Sequence, residues 1–269
     1  MKFFIYIAVI LAWLTIPVSV QAQLLLEQGK VKKIVQPGET VVGTFSVHNL
    51  GQKAINADIY LEDFEYKPPF TGEKNFMRAG TAERSNAEWI NFYPSEITLP
   101  PSSADTIRYT INVPEDARGG YYSVMFFEAA GGSPDQLDST GLLIIARVGT
   151  LFFVETEDRL KKIEVTDVSL SDEQLVTRVK NDGNVVLVVS SVYFVLDENG
   201  VPVSRGKADS RYLGIGDAVD IPFSLPDDLD QGRYTAVITY DMEEGDAAVL
   251  EAELRKTSAG TLEVVDYTQ

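Results

Sequence analysis

In the first half of the chain, apolar and polar residues alternate in short segments that are bounded by Gly, Pro, Asn or Asp. Within residues 41–49, 55–62 and 107–113, the apolar residues recur at every second position. This period predicts antiparallel strands that have one buried face and one solvated face. Residues 121–128 and 141–154 are apolar on both faces. We therefore expect these two strands to lie centrally in a sandwich or to have their second face covered by another part of the protein.

Strand-like segments continue at short, regular spacing through the second half, which predicts a second sandwich of seven strands. They are residues 162–170, 174–180, 185–196, 201–205, 218–223, 232–240 and 247–254. No segment combines a sustained helical period with capping residues. The tail is polar and then apolar, so it either adds an edge strand or stays loose.

These patterns predict an all-β fold, with two immunoglobulin-like β-sandwich domains after a signal peptide. The predicted units are 1–22 (signal peptide), 23–156 (first sandwich), 157–256 (second sandwich) and 257–269 (C-terminal tail). The charged link at 155–159 marks the boundary between the two sandwiches.

The first 22 residues have the pattern of a secretory signal peptide. Lys2 gives a positive start, residues 3–18 form an apolar run, and Val20 and Ala22 have the small or aliphatic character of a cleavage site. The alternative is an uncleaved membrane anchor, which the short length of the run disfavours. No later segment is apolar for long enough to span a bilayer. We therefore expect a soluble mature protein in the periplasm, the cell envelope or the extracellular space.

Composition limits the chemistry that the chain can perform. A formal net charge of −17 argues against nucleic acid as a partner. The chain has no cysteine, which excludes disulfides, thiol catalysis and cysteine-type zinc sites. The single histidine, His48, lies on the polar face of a predicted strand, as expected of a surface residue. We therefore predict that the protein is not an enzyme and has no catalytic residue, cofactor or metal site.

Carboxylates are abundant, and two clusters of them could carry chemistry. Glu62 and Asp63 are adjacent in a predicted strand, so they point to opposite faces and do not converge as a catalytic pair. Residues 241–246 lie in a predicted hairpin loop that lacks the ligand spacing of a calcium loop. A structural calcium ion is the alternative that this spacing disfavours.

The aromatic residues of the first domain could line a sugar-binding groove, but in a sandwich they more often fill the core, and we expect them there. They are Trp89, Phe92, Tyr93, Tyr121, Tyr122, Phe126, Phe127, Phe152 and Phe153. Both halves of the chain also contain a Val-x-Asn-x-Gly sequence after an early strand, at 47–51 and 179–183. This repeat indicates, weakly, that the two sandwiches are distant versions of one unit.

Five segments of the first domain occur in a characteristic order. The first is a strand that begins with a basic residue and continues with apolar ones, and the second is a strand that ends in Asn. A Pro-rich turn before an Ile-Arg pair follows. The last two are a Pro-x-Asp turn with an aromatic strand, and a long final strand. These segments are 33–35, 45–49, 94–108, 114–127 and 141–153. Together they resemble the N-terminal domain of periplasmic pilus-assembly chaperones. The second domain is similar to a generic second immunoglobulin-like domain.

The resemblance implies a mechanism. In such chaperones, the last strand of the first domain donates alternate apolar side chains to a subunit that lacks a strand. By position, Leu143 and Ile145 would be the donor side chains, and residues 129–140 would form the loop leading into the strand. The family anchors the subunit's terminal carboxylate with two basic residues. Lys33 would supply the first, whereas the second position is occupied by Thr150, which carries no charge.

We therefore predict an exported chaperone-like or scaffold protein that binds another exported protein, either a pilin-like subunit or a surface protein. The predicted binding element is the last strand of the first domain. The alternative is a structural or adhesive module of the cell surface that binds a polymer or a protein. The two predictions differ in whether that last strand is available to a partner.

Overall fold

The structure is a computed structural model that describes residues 24–130, 145–171, 174–226, 228–244 and 246–269. The predicted signal peptide, Leu143 and most of the loop predicted before it lie outside these ranges. Within them the chain forms strands and a single turn of 3-10 helix (Ala87–Trp89). No helix in this part of the chain has the length and apolar character needed to cross a lipid bilayer.

The first domain is a sandwich of ten strands. They are β1 (Leu24–Leu26), β2 (Lys30–Val35), β3 (Thr40–Asn49), β4 (Ile55–Tyr66), β5 (Lys74–Arg78), β6 (Ile90–Tyr93), β7 (Glu96–Leu99), β8 (Ala104–Asn112), β9 (Gly120–Ala130) and β10 (Ile145–Thr156). Sheet A has the order β1-β3-β8-β6. Sheet B has the order β2-β10-β9-β4-β5, and β7 also pairs with β4. The β2–β10 pair is parallel, whereas β10 and β9 are antiparallel.

The second domain contains eight strands. They are β11 (Ile163–Ser171), β12 (Gln174–Asn181), β13 (Leu187–Asp197), β14 (Pro202–Leu213), β15 (Ala218–Ser224), β16 (Gly232–Asp241), β17 (Ala247–Lys256) and β18 (Leu262–Thr268). Sheet C has the order β11-β12-β15, and sheet D has the order β14-β13-β16-β17-β18. The prediction of an all-β chain with two immunoglobulin-like sandwiches is confirmed.

The strand that exceeds the predicted seven is β18, which the C-terminal tail forms. It pairs with β17 in an antiparallel ladder. The side chain of Gln269 then accepts a hydrogen bond from the Val165 N–H (2.8 Å) and donates one to the Ile163 carbonyl (3.2 Å) on sheet C. The tail therefore adds an edge strand, which is one of the two outcomes that its pattern allows.

The alternation of apolar residues in the first domain matches the burial of its strands. Ile107, Tyr109 and Ile111 of β8 lie in the core, whereas Arg108 between them is exposed. Most of the aromatic side chains are also buried or packed against buried clusters, as predicted. The prediction is wrong for Tyr93, whose side chain is 75% exposed at the end of β6, the edge strand of sheet A.

β9 is buried on both faces, and each face belongs to a different core. Met125 and Phe127 pack into the core of the first domain. Tyr122, Val124 and Phe126 point the other way and join a buried cluster that is continuous with the core of the second domain. The apolar character of both faces is thus explained by packing on both sides of the strand.

The two domains contact each other directly. Tyr66 of the first domain stacks on Tyr212 of the second, with the ring centroids 5.1 Å apart. The Tyr212 N–H also donates a hydrogen bond to the Phe70 carbonyl at 2.8 Å. The Tyr122 hydroxyl accepts a hydrogen bond from the Val186 N–H at 2.6 Å. These contacts orient the domains more firmly than the short link 157–162 could do alone.

Candidate partner-binding edge and interdomain clamp

The N-terminal half of β10 has one open edge in the part of the chain that the structure describes. All of β10 from Ile145 to Glu155 pairs with β9. On its other side, β2 joins only from Leu151, which lies opposite Lys30. Among the described strands, residues 145–150 therefore form a ladder on one side only, although β1 lies close to β10.

The open edge exists because the N-terminal segment changes sheets. β1 pairs with β3 in sheet A, and the chain then crosses over so that β2 pairs with β10 in sheet B. At the crossing, the Leu151 N–H donates to the Gly29 carbonyl (3.0 Å), and the Thr150 hydroxyl donates to the Gln28 carbonyl (2.6 Å). Thr150 is fully buried, so its hydroxyl closes the crossing and has no access to a partner.

The backbone groups that face the open edge belong to Arg147 and Gly149. In an antiparallel ladder, successive residues direct their N–H and C=O groups to opposite sides of the strand. Leu151 directs its N–H towards β2, so the residues two and four positions before it point the same way, where no described strand forms a ladder with β10. Each of them offers one donor and one acceptor to an incoming strand.

Gly149 is also required by close packing. A β-carbon at this position would lie 2.7 Å from Cγ2 of Val124 and 3.0 Å from the ring of Phe126. Those contacts are shorter than van der Waals distances, so a larger residue would push β10 away from β9. The glycine therefore allows β10 to pack closely against β9 at the open edge.

Arg147 lies flat against the aromatic surface of sheet B. Its guanidinium carbon is 4.2 Å from the ring centroid of Phe126 and 5.2 Å from that of Phe76. Its Nη1 is also 3.3 Å from a carboxylate oxygen of Glu62. Stacking and ion pairing together hold the side chain against the sheet. Asp63, the neighbour of Glu62, points the opposite way into the protein, so the prediction that the two carboxylates do not converge is confirmed.

Ile145, one of the three site residues predicted from the sequence, lies at this edge. Ile145 is the first described residue of β10, and its backbone pairs with Ala130. Its side chain and the whole of Leu143 lie outside what the structure describes. Their role as donor side chains therefore stays a prediction.

The structure places the third predicted residue, Lys33, away from the surface that faces the second domain. Val31 and Val35 of β2 are buried in the core of the first domain, and Lys33 shares their face of the strand. Lys33 lies opposite Val154, which is also in that core. Strand alternation instead turns Lys32 towards the second domain.

Lys32 is part of an ion cluster that joins the domains. Its Nζ lies 3.3 Å from Glu155 of β10 and 2.8 Å from Glu244, which is in the loop between β16 and β17. Arg159 of the link contacts the same two carboxylates at 3.3 and 2.8 Å, and Lys161 contacts Glu244 at 3.2 Å. Hydrogen bonding from Lys32 and the nearby cations lower the pKa of Glu244 to about 2. We call these five residues the interdomain clamp.

The clamp accounts for the acidic sequence at 241–246. The loop curls back because Glu243 and Glu244 both adopt positive φ, and the Glu243 N–H donates to the Asp241 carboxylate. Lys161 donates to the carbonyls of Met242 and Glu243, at 2.8 and 2.9 Å. The positive charges that contact this acidic loop thus come from Lys and Arg side chains. Among the described residues, no group of His, Cys, Asp or Glu side chains has a metal-binding arrangement.

The clamp was not predicted from the sequence, although one signal for it was present. Val31 and Val35 are both apolar in 30–35, and this alternation places Lys33 on the core face and Lys32 on the other. The partners of Lys32 could not have been found in the same way. Glu244 lies in a loop more than two hundred residues away, and only the packing of the domains brings it close.

A second contact between the domains is made by the turn before β9. The Gly120 N–H donates to the Asn184 carbonyl at 2.8 Å. Gly119 has a φ of +76°, and a β-carbon there would lie 2.3 Å from the same carbonyl oxygen. Asn184 also accepts a hydrogen bond from the Leu160 N–H at 2.6 Å, so the link is tied to the same turn.

The overall structure is similar to solved structures of pilus chaperones. A chain from the structure described as "Chaperone-tip adhesin complex is vital for synergistic activation of CFA/I fimbriae biogenesis" is 15% identical, with a TM-score of 0.51. The similarity covers 85% of this chain and 97% of that one. No family model matches the sequence, and no curated protein matches it.

Two further solved structures are similar at lower scores. The class 5 fimbriae chaperone CfaA is 15% identical with a TM-score of 0.48, over 84% of this chain and 97% of CfaA. The E. coli chaperone DraB is 12% identical with a TM-score of 0.45, over 90% and 97%. At 15% identity, the similarity to the chaperone–tip adhesin structure shows a shared fold alone. The chain thus has the two-domain architecture of a chaperone–usher pilus chaperone, as the sequence resemblance implies.

Proposed function

We propose that this protein is an envelope chaperone or scaffold that binds another exported protein by β-strand pairing along the open edge of β10. The single observation that carries the proposal is the geometry of residues 145–150, which pair with β9 alone among the described strands. An open sheet edge pairs readily with a strand of another chain. The shared fold with pilus chaperones agrees with this role.

Binding and selection would come from different groups of the same strand. The N–H and C=O groups of Arg147 and Gly149 supply hydrogen bonds that do not depend on the sequence of the partner. Side chains at alternate positions select the partner, and we assign this role to Leu143 and Ile145. An acidic or aromatic residue opposite Arg147 would suit its guanidinium group.

The rest of sheet B holds this edge in place. From Leu151 onwards β10 lies between β2 and β9, and Glu155 at its far end is fixed by Lys32 and Arg159. A strand that is already ordered loses less conformational entropy when a partner binds. The clamp therefore contributes to affinity without touching the partner.

A basic residue of β2 would bind a terminal carboxylate of the partner at the C-terminal end of the open edge, where β2 joins β10. The carboxylates of Glu155 and Glu244 already neutralise Lys32. Lys33 lies opposite Val154, whereas Lys30 lies opposite Leu151, directly beside the open segment. The Nζ of Lys30 is 4.1 Å from the ring centroid of Phe153. We therefore extend the assignment from Lys33 to Lys30, and Lys30→Gln should weaken binding more than Lys33→Gln does.

The experiment compares Arg147→Pro with Arg147→Ala in affinity capture of partners from an envelope extract of the source organism. Proline removes the N–H at the open edge and leaves the β10–β9 ladder intact, whereas alanine keeps the N–H and removes only the side chain. We expect Arg147→Pro to reduce capture by about tenfold or more, which corresponds to about 1.4 kcal/mol. Arg147→Ala should stay within about twofold of the original protein.

Equal capture by both variants would contradict strand pairing at this edge. Circular dichroism and the thermal midpoint of each variant establish that both are folded. Capture that is lost with alanine as well as with proline would assign recognition to the Arg147 side chain and not to the backbone.

A further inference from the structure

The outer face of sheet D carries an apolar patch that the strand-pairing function does not use. On β13, Val192 is 47% exposed and Phe194 is 41% exposed. On β17, Val249 is 46% exposed, and Val237 of β16 lies between these strands and is partly exposed. Single exposed apolar residues are ordinary, but a contiguous group on one sheet indicates a contact surface.

The strand register arranges this patch between two charged borders. Phe194 lies opposite Arg205 of β14 on one side and Val237 of β16 on the other. Val237 in turn lies opposite Glu251 of β17. One row across the sheet therefore runs basic, aromatic, aliphatic, acidic. The neighbouring row contains Lys207, Val192, Thr239 and Val249.

We propose that this face binds a second copy of the same chain. A two-fold axis that runs along the strands, between β13 and β16, would place the two faces against each other. Arg205 of one copy then lies opposite the partner's Glu251, and Phe194 lies opposite the partner's Val237. The contact is isologous, so the Arg205–Glu251 ion pair forms twice. Sheets packed in this way lie about 10 Å apart.

Charge complementarity favours a second copy over another kind of partner. The face carries positive charge on its β14 border and negative charge on its β17 border, and it is therefore complementary to itself. A partner of uniformly acidic or basic character would match one border and be repelled by the other. The patch belongs to the second domain, whereas the open edge of β10 belongs to the first, so the two surfaces can be occupied together.

The size of the patch predicts a weak dimer. Four strands spaced about 4.8 Å apart, with two outward positions about 7 Å apart on each strand, cover roughly 270 Å². A standard stable interface takes about 800 Å² from each partner. Self-association should therefore appear in the range from about ten micromolar to about one millimolar, as for transient complexes.

The test is sedimentation of the mature protein over that concentration range, with two charge reversals. Arg205→Glu or Glu251→Arg alone places like charges opposite each other in both ion pairs. Each variant should raise the dissociation constant by about tenfold or more. An equimolar mixture of the two variants should associate as well as the original protein, because both ion pairs then have opposite charges in the mixed dimer.

The matched control is Arg178→Glu on sheet C, which changes the net charge as much as Arg205→Glu and should leave association unchanged. Three results would overturn the proposal. They are a protein that stays monomeric up to about one millimolar, charge-reversal variants that associate like the original protein, and a mixture that does not recover association. The second result would also arise if copies associated through the β10 edge.

Discussion

Asn49 and Asn181 make the same set of hydrogen bonds in the two domains. The Asn49 amide nitrogen contacts the carbonyls of Lys53, Leu99 and Pro100, and its oxygen accepts from the Gly51 N–H. The Asn181 nitrogen contacts the carbonyls of the residue four positions on and of two consecutive residues in a distant strand end, and its oxygen accepts from the Gly183 N–H. Both side chains are buried. The same buried asparagine turn therefore closes an early strand in both sandwiches.

Replacing either of these asparagines should destabilise the domain that contains it. Asn181→Ala leaves buried carbonyls without a donor, and we expect a loss of about 3 kcal/mol in the free energy of unfolding. Asn49→Ala should cost a similar amount. Urea unfolding measures both, with Asn91→Ala on the exposed side of β6 as the control, which should change stability by less than about 0.5 kcal/mol. A small loss of unfolding free energy in both variants would contradict this prediction and would show that water satisfies the carbonyls in place of the amide.

Gly119→Ala should be much more destabilising than Gly200→Ala, although both glycines have nearly the same positive φ. The φ values are +76° and +75°. At Gly200 the added methyl meets nothing within 4 Å, so only the backbone penalty of about 1 kcal/mol applies. At Gly119 the methyl would overlap the Asn184 carbonyl, so we expect a loss of at least about 3 kcal/mol and a looser domain interface. Similar midpoints of thermal unfolding for the two variants would contradict this tight contact.

The clamp should lose its stabilising effect in acid. The pKa of Glu244 is lowered from 4.5 to about 2 in the folded protein, so its contribution is complete above pH 4.5 and disappears as the pH falls towards 2. Because this side chain is partly exposed, we expect only about 1 kcal/mol after allowance for solvent screening. The difference in unfolding free energy between the original protein and Glu244→Gln should shrink over that pH range. A difference that is constant with pH would mean that the charge of Glu244 is not what matters.

Asp63 should have a structural role that its exposed neighbours on β4 lack. Its buried carboxylate accepts hydrogen bonds from the N–H groups of Thr81 and Ala82 and from the Ser85 hydroxyl, at 2.6 to 2.8 Å. Asp63→Ala should therefore cost about 3 kcal/mol of unfolding free energy. Asp58→Ala, at an exposed position of the same strand, should have little effect. Equal stabilities of the two variants, measured by urea unfolding, would contradict this role.

Much of the fold could be predicted from the sequence because it depends on local patterns. The two-residue period of 107–113 gave β8 with the correct buried face. The repeated Val-x-Asn-x-Gly sequence at 47–51 and 179–183 was visible in the sequence, whereas the burial of Asn49 and Asn181 was not predicted from it. These features are encoded by neighbouring residues, and alternation is strict when one face of a strand is buried.

The candidate site was less predictable because it depends on contacts between distant segments. Family resemblance pointed to β10, but the limits of its open edge are set by the change of sheets at Gln28 and Gly29. The basic residue Lys33 was chosen by resemblance, whereas alternation with Val31 and Val35 places Lys32 on the face towards the second domain. The role of Glu244 follows only from the packing of the two domains.

Amide hydrogen exchange at single-residue resolution shows whether a partner pairs with the open edge of β10. In the free mature protein, the N–H groups of Arg147 and Gly149 should exchange rapidly, while those of Val148 and Thr150, which face β9, and that of Leu151 should be protected. In the complex with the captured partner, Arg147 and Gly149 should become protected by about a hundredfold or more. If a partner binds while these two amides exchange as fast as before, binding by strand pairing at the β10 edge is contradicted.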